Sequence, residues 1–302
     1  MSDLPITITA EEQAVEQNGE GDLQRVGDMG ELPLTVVRPS KGWVPLRLHE
    51  IVEYRELLYF LAWRDIKVRY KQTILGVIWA ILQPFLTMVV FTVIFGKLAK
   101  VSSDGFPYPV FAFTALLPWE LFAKSMMESG NSLVNNQALI TKVYFPRVVI
   151  PMAAVLAGLV DFAIAFVVLV ALLIHYGIAP DIRILALPVF LLMAVLTALA
   201  VGLWLSALNV QYRDVRYTIP FLTNLWFYAT PVVYSSHIMP GWFRPLYGLN
   251  PMVGVVEGFR WAILGHGGVG PMVAVSAVVV VLMFFGGLIY FRRMEKSFAD
   301  VV

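Results

Sequence analysis

Uncharged apolar runs recur along this chain from Val77 onward, and each approaches the roughly 20 residues that an α-helix needs to cross a bilayer. Only 14% of the 302 residues are charged and 59% are hydrophobic, whereas soluble domains carry about 25% charged residues. A helix satisfies its backbone hydrogen bonds internally, so it is the element that lipid allows for such runs. The sequence predicts an all-α polytopic membrane protein.

The apolar runs divide into six predicted transmembrane helices. They cover residues 77–95, 108–126, 148–174, 184–208, 217–234 and 272–291. The stretch from Met239 to Gly265 is also apolar, but prolines and glycines interrupt it, so we expect a re-entrant helical hairpin between spans 5 and 6. Asn250 before Pro251 is typical of the start of its second short helix.

The N-terminal part differs in kind. Residues 1–45 are rich in acidic and poor in large apolar side chains, which predicts a disordered acidic cytoplasmic tail. This tail lacks the basic start and the continuous apolar stretch of a secretory signal. Residues 46–302 are predicted to form the membrane domain, which begins with an amphipathic helix at 47–64 in the membrane interface.

The distribution of charge sets the orientation. With six spans, Lys and Arg concentrate on the side of the N-terminus, so the positive-inside rule places both termini in the cytoplasm. The formal net charge of +1 and the lack of a basic stripe exclude nucleic acid as a partner. Because the chain has no Cys, disulfides and thiolate metal sites are excluded as well.

Few ionisable residues fall within the membrane or at its outer mouth, and each is a functional candidate because its burial is costly. They are Glu120, Lys124, Asp161, Glu257 and Arg260. Glu120 and Lys124, and likewise Glu257 and Arg260, have the spacing of helical ion pairs. Asp161 has no obvious cation at its depth, so we expect it to be protonated or bonded to a backbone or hydroxyl group.

Aromatic side chains concentrate in the second and fifth spans and in the predicted hairpin. The candidates for a substrate path are Trp119, Trp226, Phe227, Tyr228, Tyr234, Trp242, Tyr247 and Trp261. Aromatic faces stack on sugar rings, which would suit passage of a glycan. An interfacial aromatic belt is the alternative.

One cytoplasmic loop, from Ser129 to Pro146, has the pattern of a structured element. Asn131-Ser132 can cap a short amphipathic helix that holds Leu133 and Ile140. Its exposed apolar residues favour either a soluble partner or contact with the bilayer surface.

Three blocks of sequence carry a resemblance to a known family. They are RYKQTILGVIWAILQPF at 69–85, NSLVNNQALITKVYFPRVVIP at 131–151, and YRDVRYTIPFLTNLWFYATPVVY at 212–234 followed by LNPMVGVVEGFR. The chain resembles the ABC-2-type polysaccharide export permeases, the membrane subunits that export O-antigen, capsule or teichoic acid. The resemblance implies a homodimer in the bacterial plasma (inner) membrane, two copies of a separate nucleotide-binding subunit, and a lipid-linked polysaccharide as substrate.

The residues agree with that division of labour. The sequence contains no G-x-x-x-x-G-K-[ST] loop, and its one Gly-Lys pair is Gly96-Lys97. We therefore expect no catalytic residue, metal or cofactor on this chain, with ATP and Mg held by the partner subunit. By the same resemblance, the contact with that subunit would comprise Glu50, Glu53, Asn131, Leu133, Gln137, Lys142 and Arg147.

Two other classes remain as alternatives. An ion-coupled secondary transporter would use an intramembrane carboxylate such as Asp161 and a discontinuous helix at Pro231. A polytopic glycosyl or acyl transferase would need a convergent acid/base or metal set, whereas the four His residues are scattered over both sides.

Overall fold

The computed structural model describes residues 52–71, 74–212, 214–265, 268, 270–295 and 298. All regular elements that these residues form are helical, which confirms the predicted all-α class for this part of the chain. The predicted acidic tail, 1–45, and the beginning of the predicted interface helix, including Glu50, lie outside the described residues.

Ten α-helices follow one another along the described residues. They are α1 Arg55–Lys71, α2 Ile74–Phe91, α3 Tyr108–Asn135, α4 Gln137–Lys142, α5 Val149–His175, α6 Leu187–Gln211, α7 Val215–Tyr228, α8 Arg244–Tyr247, α9 Pro251–Leu264 and α10 Pro271–Met294. A π-helical segment, Thr92–Leu98, extends α2, and 3₁₀ segments lie at Ile182–Ala186 and Ser236–Ile238.

Within the described ranges, five helices are long and apolar enough to cross a membrane. They are α2 with its π-helical extension, α3, α5, α6 with the 3₁₀ segment before it, and α10. Their positions agree with five of the predicted spans to within a few residues, except that α3 continues to Asn135 rather than ending at 126. The interface helix also differs from its prediction, because α1 continues to Lys71 rather than ending at 64.

The remaining predicted span, 217–234, is not a single helix. α7 ends at Tyr228 after 14 residues, a length of about 21 Å, which is short of the ~30 Å hydrocarbon core. The chain then turns over residues 229–234. Pro231 lies in this turn, where its missing N–H prevents continuation of the helix.

The region predicted as a hairpin contains α8 and α9. Asn250 caps α9 as predicted, since its side chain accepts a hydrogen bond from the backbone N–H of Met252 at 3.1 Å. The same side chain donates to the carbonyl of Ala229 and to the hydroxyl of Thr230, both at 3.0 Å. Asn250 therefore joins the end of α7 to the start of α9.

Helix α3 lies at the centre of the packing, and most of its side chains are buried against α5, α6 and α9. Small residues allow the helix backbones to approach closely. Gly158 of α5 faces Ser125, and Gly202 of α6 faces Ser129. This pattern is typical of membrane helices, which lack a hydrophobic drive toward one another and associate through tight van der Waals packing.

We expect Gly202→Val to destabilise the bundle. A Cβ at residue 202 would lie 2.6 Å from the Cβ of Ser129, so α3 and α6 must separate, at a cost of about 1–3 kcal/mol. Thermal unfolding of the purified protein in detergent measures the effect. Gly241→Val is the matched control, because nothing lies within 4 Å of a Cβ at that position; equal stability of the two variants would contradict the packing described.

Candidate functional site

The end of α3 and the helix after it form the region for which the sequence predicted a cytoplasmic partner contact. Asn131 and Ser132 do not cap a short helix, because both lie inside α3. Asn131 donates to the carbonyl of Met127 at 2.9 Å and accepts from Asn209 of α6 at 3.0 Å. These bonds satisfy the amide within the bundle, so the helix continues to Asn135 and the short helix is α4, 137–142.

The predicted contact residues separate into two groups. Glu53, Gln137 and Lys142 are exposed on α4 and just before α1, where a partner can touch them. Leu133 is fully buried, and Asn131 and Arg147 are engaged inside the chain. Val143 and Tyr144, which follow α4 directly, are exposed at 53% and 87% and were not in the predicted contact set.

Helix α1 lies beside this region. The guanidinium of Arg64 donates to the side chain of Asn136, just before α4, at 2.8 Å. A cleft of about 520 Å³ lies between α1, α3 and α5 and is lined in part by Arg64, Asp65, Glu128 and Asn135. The two predicted contact elements, α1 and α4, are therefore physically connected.

The last turn of α1 carries the partner of Asp161. Arg69 lies 2.5 Å from one carboxylate oxygen of Asp161, and Tyr70 donates its hydroxyl hydrogen to the other. Arg69 also lies 3.7 Å from Glu128 of α3. Burial raises the pKa of the Tyr70 hydroxyl, and its hydrogen bond to Asp161 raises that pKa further, so Tyr70 stays a donor.

The expected bond of Asp161 to a hydroxyl group is confirmed by Tyr70. The prediction that no cation lies near Asp161 was wrong, because the cation comes from a helix about 90 residues earlier in the chain. Because the carboxylate of Asp161 is paired with Arg69 and accepts a hydrogen bond from Tyr70, its role is to connect α1 to α5. This pairing removes the main residue-level argument for an ion-coupled transporter.

The two ion pairs that helical spacing predicted are confirmed. Lys124 lies 3.9 Å from Glu120, and Arg260 lies 3.2 Å from Glu257. Each pair lies within a single helix, α3 for the first and α9 for the second, where a spacing of three or four residues brings side chains together.

Arg260 does more than pair with Glu257. Its side chain is only 4% exposed, its guanidinium lies 3.7 Å from the centre of the Phe111 ring, and it donates to the carbonyls of Val232 and Tyr234. Tyr108 donates to the carbonyl of Val233 at 2.7 Å. Side chains of α3 and α9 thus satisfy carbonyls of the irregular backbone that follows α7.

The predicted aromatic residues do not form one surface. Trp119 and Phe227 pack edge to face at 5.4 Å, and Trp226 contacts Phe122 at 5.0 Å, so these side chains belong to the packing between α3 and α7. The hydroxyls of Tyr234 and Tyr247 are hydrogen-bonded at 2.8 Å. Trp261 lies under the guanidinium of Arg183.

Two of the eight, Tyr228 and Trp242, are widely exposed, at 71% and 77%. Tyr217 and Phe221 are also exposed and share a face of α7 with Tyr228. Sequence reasoning missed these two, although their spacing of four and eleven residues along one helix was the signal that could have found them.

Comparison with known proteins places the chain in a family. The family of ABC-2 type transporters matches residues 56–264. The chain is 33% identical over 259 residues to the O-antigen export system permease protein RfbA of Myxococcus xanthus, covering 84% of this chain and 98% of that protein. It is 29% identical to the RfbA protein of Klebsiella pneumoniae, covering 82% and 95% of the two chains.

A third relative is the polysialic acid transport protein KpsM of Escherichia coli. The identity is 23% over 240 residues, which cover 78% of this chain and 92% of that protein. The family match over residues 56–264 includes nearly all of α1, all helices from α2 to α9 and the segment in which Arg260 holds the chain after α7. This protein is a multi-pass membrane protein of the ABC-2 type transporter family.

Proposed function

We propose that this chain is the permease subunit of an ATP-driven exporter that moves a lipid-linked, O-antigen-like polysaccharide from the cytoplasmic to the outer side of a bacterial inner membrane. The observation that carries the proposal is the match along 98% of the Myxococcus relative, whose name states O-antigen export. A match over nearly the whole of that protein covers the spans, the short cytoplasmic helix and the segment after α7 together.

ATP and Mg are bound by a separate nucleotide-binding subunit, of which two copies serve the exporter. The chain itself contains no phosphate-binding G-x-x-x-x-G-K-[ST] loop. The contact with that subunit involves the exposed residues Glu53, Gln137 and Lys142 together with Tyr144. This chain couples the partner's ATP hydrolysis to export and does not itself hydrolyse ATP.

The geometry of α3 supports this location of the contact. Its 28 residues extend about 42 Å, which is longer than the ~30 Å hydrocarbon core. Several residues of α3 therefore lie outside the hydrocarbon core. Glu128 lies 3.7 Å from Arg69, near the end of the interface helix α1, which places the cytoplasmic boundary of α3 near Glu128. The turns of α3 beyond Glu128, followed by α4, then project into the cytoplasm, and both termini lie on that side.

Two copies of the chain form the exporter. α2 exposes apolar side chains such as Trp79 along its length, and α7 exposes Tyr217, Phe221 and Tyr228. Because the backbone after α7 is irregular, lipid is a poor neighbour for this region, whereas a second copy or a water-filled path is a suitable one. The segment 217–234 completes a sixth crossing, and α8 and α9 form a re-entrant hairpin beside it.

The exposed aromatic face of α7 suits the substrate. Tyr217, Phe221 and Tyr228 can stack on the apolar faces of successive sugar rings without fixing one residue of the polymer. Tight hydrogen-bond pockets would instead retain the chain. We assign these side chains, with Trp242, to the glycan path.

Charge reversal at Lys142 tests the partner contact. Lys142 is exposed at the end of α4 and contributes little to the fold, so Lys142→Glu should leave the protein level unchanged. We expect a loss of export of about fivefold or more relative to ATP hydrolysed, since the coupling between two sites is typically worth 5–150-fold. Lys97→Glu, at an exposed lysine in the π-helical extension of α2, is the control; an equal loss in both variants would contradict a specific contact at α4.

The proposed function is tested by deletion of the chain in its native bacterium. Lipid-linked glycan should accumulate on the cytoplasmic side and disappear from the cell surface, and expression of the chain should restore the surface glycan. Unchanged surface glycan in the deletion strain would contradict the proposal.

A further inference from the structure

The segment that leads into α5 is bound by a residue at the end of another helix. Val148 at the cap position has an aliphatic side chain and makes no capping hydrogen bond. Instead Glu295, which directly follows the last helix α10, accepts the backbone N–H of Arg147 at 2.8 Å. A carboxylate there also interacts favourably with the positive end of the dipole of a 27-residue helix.

The contact between these two segments is reciprocal. Arg147 donates its guanidinium N–H to the backbone carbonyl of Glu295, so each residue binds the backbone of the other. The second carboxylate oxygen of Glu295 lies 3.3 Å from Arg292. The carboxylate is therefore held in place by Arg292 of its own helix while it binds the segment before α5.

An aromatic side chain completes the cluster. Phe298 is fully buried, its ring lies 5.9 Å from the Arg147 guanidinium, and it packs edge to face on Phe291 at 5.3 Å. Glu295 and Phe298, which follow the last predicted span, thus lie against the segment that connects α4 to α5.

That segment lies between the exposed residues of the proposed partner contact and the third span. Lys142 ends α4, Tyr144 is widely exposed, and Arg147 precedes α5 by two residues. A flexible connection here would absorb a displacement of α4. Fixing Arg147 to Glu295 makes the displacement reach α5 and α10 together.

We infer that Glu295 is a positioning residue for energy coupling, which holds the segment before α5 from the end of α10 and joins both helices to the movement of α4. This inference rests on the proposed function, because it presupposes a partner that acts on α4. The inference also assigns a role to Arg147. This residue transmits the movement of α4 through its contacts with Glu295 and is not primarily a contact for the partner subunit.

The first test measures the contact without transport. The natural chain has no Cys, so a nitroxide on Tyr144→Cys gives a single label in the full chain in lipid nanodiscs. We expect Glu295→Ala to shift the spectrum to a narrower, more mobile form. Glu295→Gln should keep most of the restriction, because its amide oxygen still accepts the Arg147 N–H. An identical spectrum in Glu295→Ala would overturn the inference.

The second test measures coupling in vesicles that contain the chain with its ATPase subunit. Glu295→Ala should raise the ATP hydrolysed per exported glycan about fivefold or more, at unchanged protein level and unchanged amount of bound ATPase. Glu295→Gln should lie close to the wild type. Arg293→Ala is the matched control, because this neighbouring side chain is exposed.

The two failures are distinguishable. If the wild type exports glycan with ATP and Glu295→Ala has the same ratio, the inference is wrong and the proposed function stands. If the wild type shows no ATP-driven export, the proposed function fails, while the spin-label spectra still decide whether Glu295 holds the connecting segment.

Discussion

Replacement of Asp161 by alanine is expected to lower the free energy of unfolding by about 2–4 kcal/mol. Breaking a buried ion pair costs about 3–5 kcal/mol, and the value here is reduced because the side chain of Arg69 is 29% exposed. The loss arises because Arg69 and Tyr70 both lose their acceptor. Asp161→Asn keeps an oxygen for both donors, so its loss should be smaller.

Thermal unfolding in detergent, followed by fluorescence-detected size exclusion, measures this effect. Asp181→Ala is the matched control, since Asp181 pairs with Arg183 at 3.7 Å but its side chain is 64% exposed, and such pairs contribute roughly 0–1 kcal/mol. Equal stability of the two variants would contradict the structural role of Asp161. Wild-type stability of Asp161→Asn with complete loss of transport would instead favour an ion-coupled mechanism.

Arg260→Ala is expected to have the largest effect of any single substitution described for this chain. It leaves the largely buried Glu257 unpaired and removes the donor from the carbonyls of Val232 and Tyr234. Breaking the pair costs about 3–5 kcal/mol, and each unsatisfied buried group adds roughly 1–3 kcal/mol. A loss of this size exceeds half of the total stability of many proteins, so little folded protein should accumulate in the membrane.

Companion variants separate the role of charge from that of geometry. Arg260→Lys keeps the charge but lacks the planar fork that reaches several acceptors, so it should fold poorly as well. The double variant Arg260→Met, Glu257→Gln should recover part of the loss, because no charge is then left buried. Arg244→Ala is the control, since its contacts to His237 and Met239 are long, at 3.3–3.5 Å.

The folded amount of each variant is measured by resistance of the membrane-inserted protein to limited proteolysis. Wild-type resistance of Arg260→Ala would contradict the clamp on the segment after α7. An equal loss of folded protein in Arg244→Ala would show that replacing any arginine of α8 or α9 is destabilising. That result would also contradict a specific role for Arg260.

Features that depend on neighbouring residues in the sequence were predictable. The spans follow from uncharged runs of membrane length, and the pairs Glu120–Lys124 and Glu257–Arg260 follow from helical spacing. Asn250 was recognised as a helix cap because Asn before Pro has the right donor and backbone preferences for that position.

Features that depend on distant residues were not predictable from one sequence. The partner of Asp161 is Arg69, on another helix. Hydropathy alone predicted one continuous span over 217–234. It could not show the break in the helix after Tyr228, because the groups that stabilise this break, Arg260 and Tyr108, lie elsewhere in the chain. Asn131 has the chemistry of a cap, but Asn209 on α6 offers it a better partner inside the bundle.

The same distinction applies to the candidate site. Exposed residues such as Lys142 follow from the local pattern of a short helix, whereas the burial of Leu133 and the capture of Arg147 by Glu295 require knowledge of the packing. The aromatic candidates illustrate this further, since Trp119 contributes to the core while Tyr228 lies on the surface.

The most direct test of the central claim is affinity purification of this chain from its native membrane. We predict that a separate P-loop ATPase co-purifies in equal amount, and that lipid-linked glycan stimulates its hydrolysis in reconstituted vesicles. Purification of the chain alone, with substrate movement that depends on an ion gradient and not on ATP, would contradict the assignment as an ATP-driven exporter subunit.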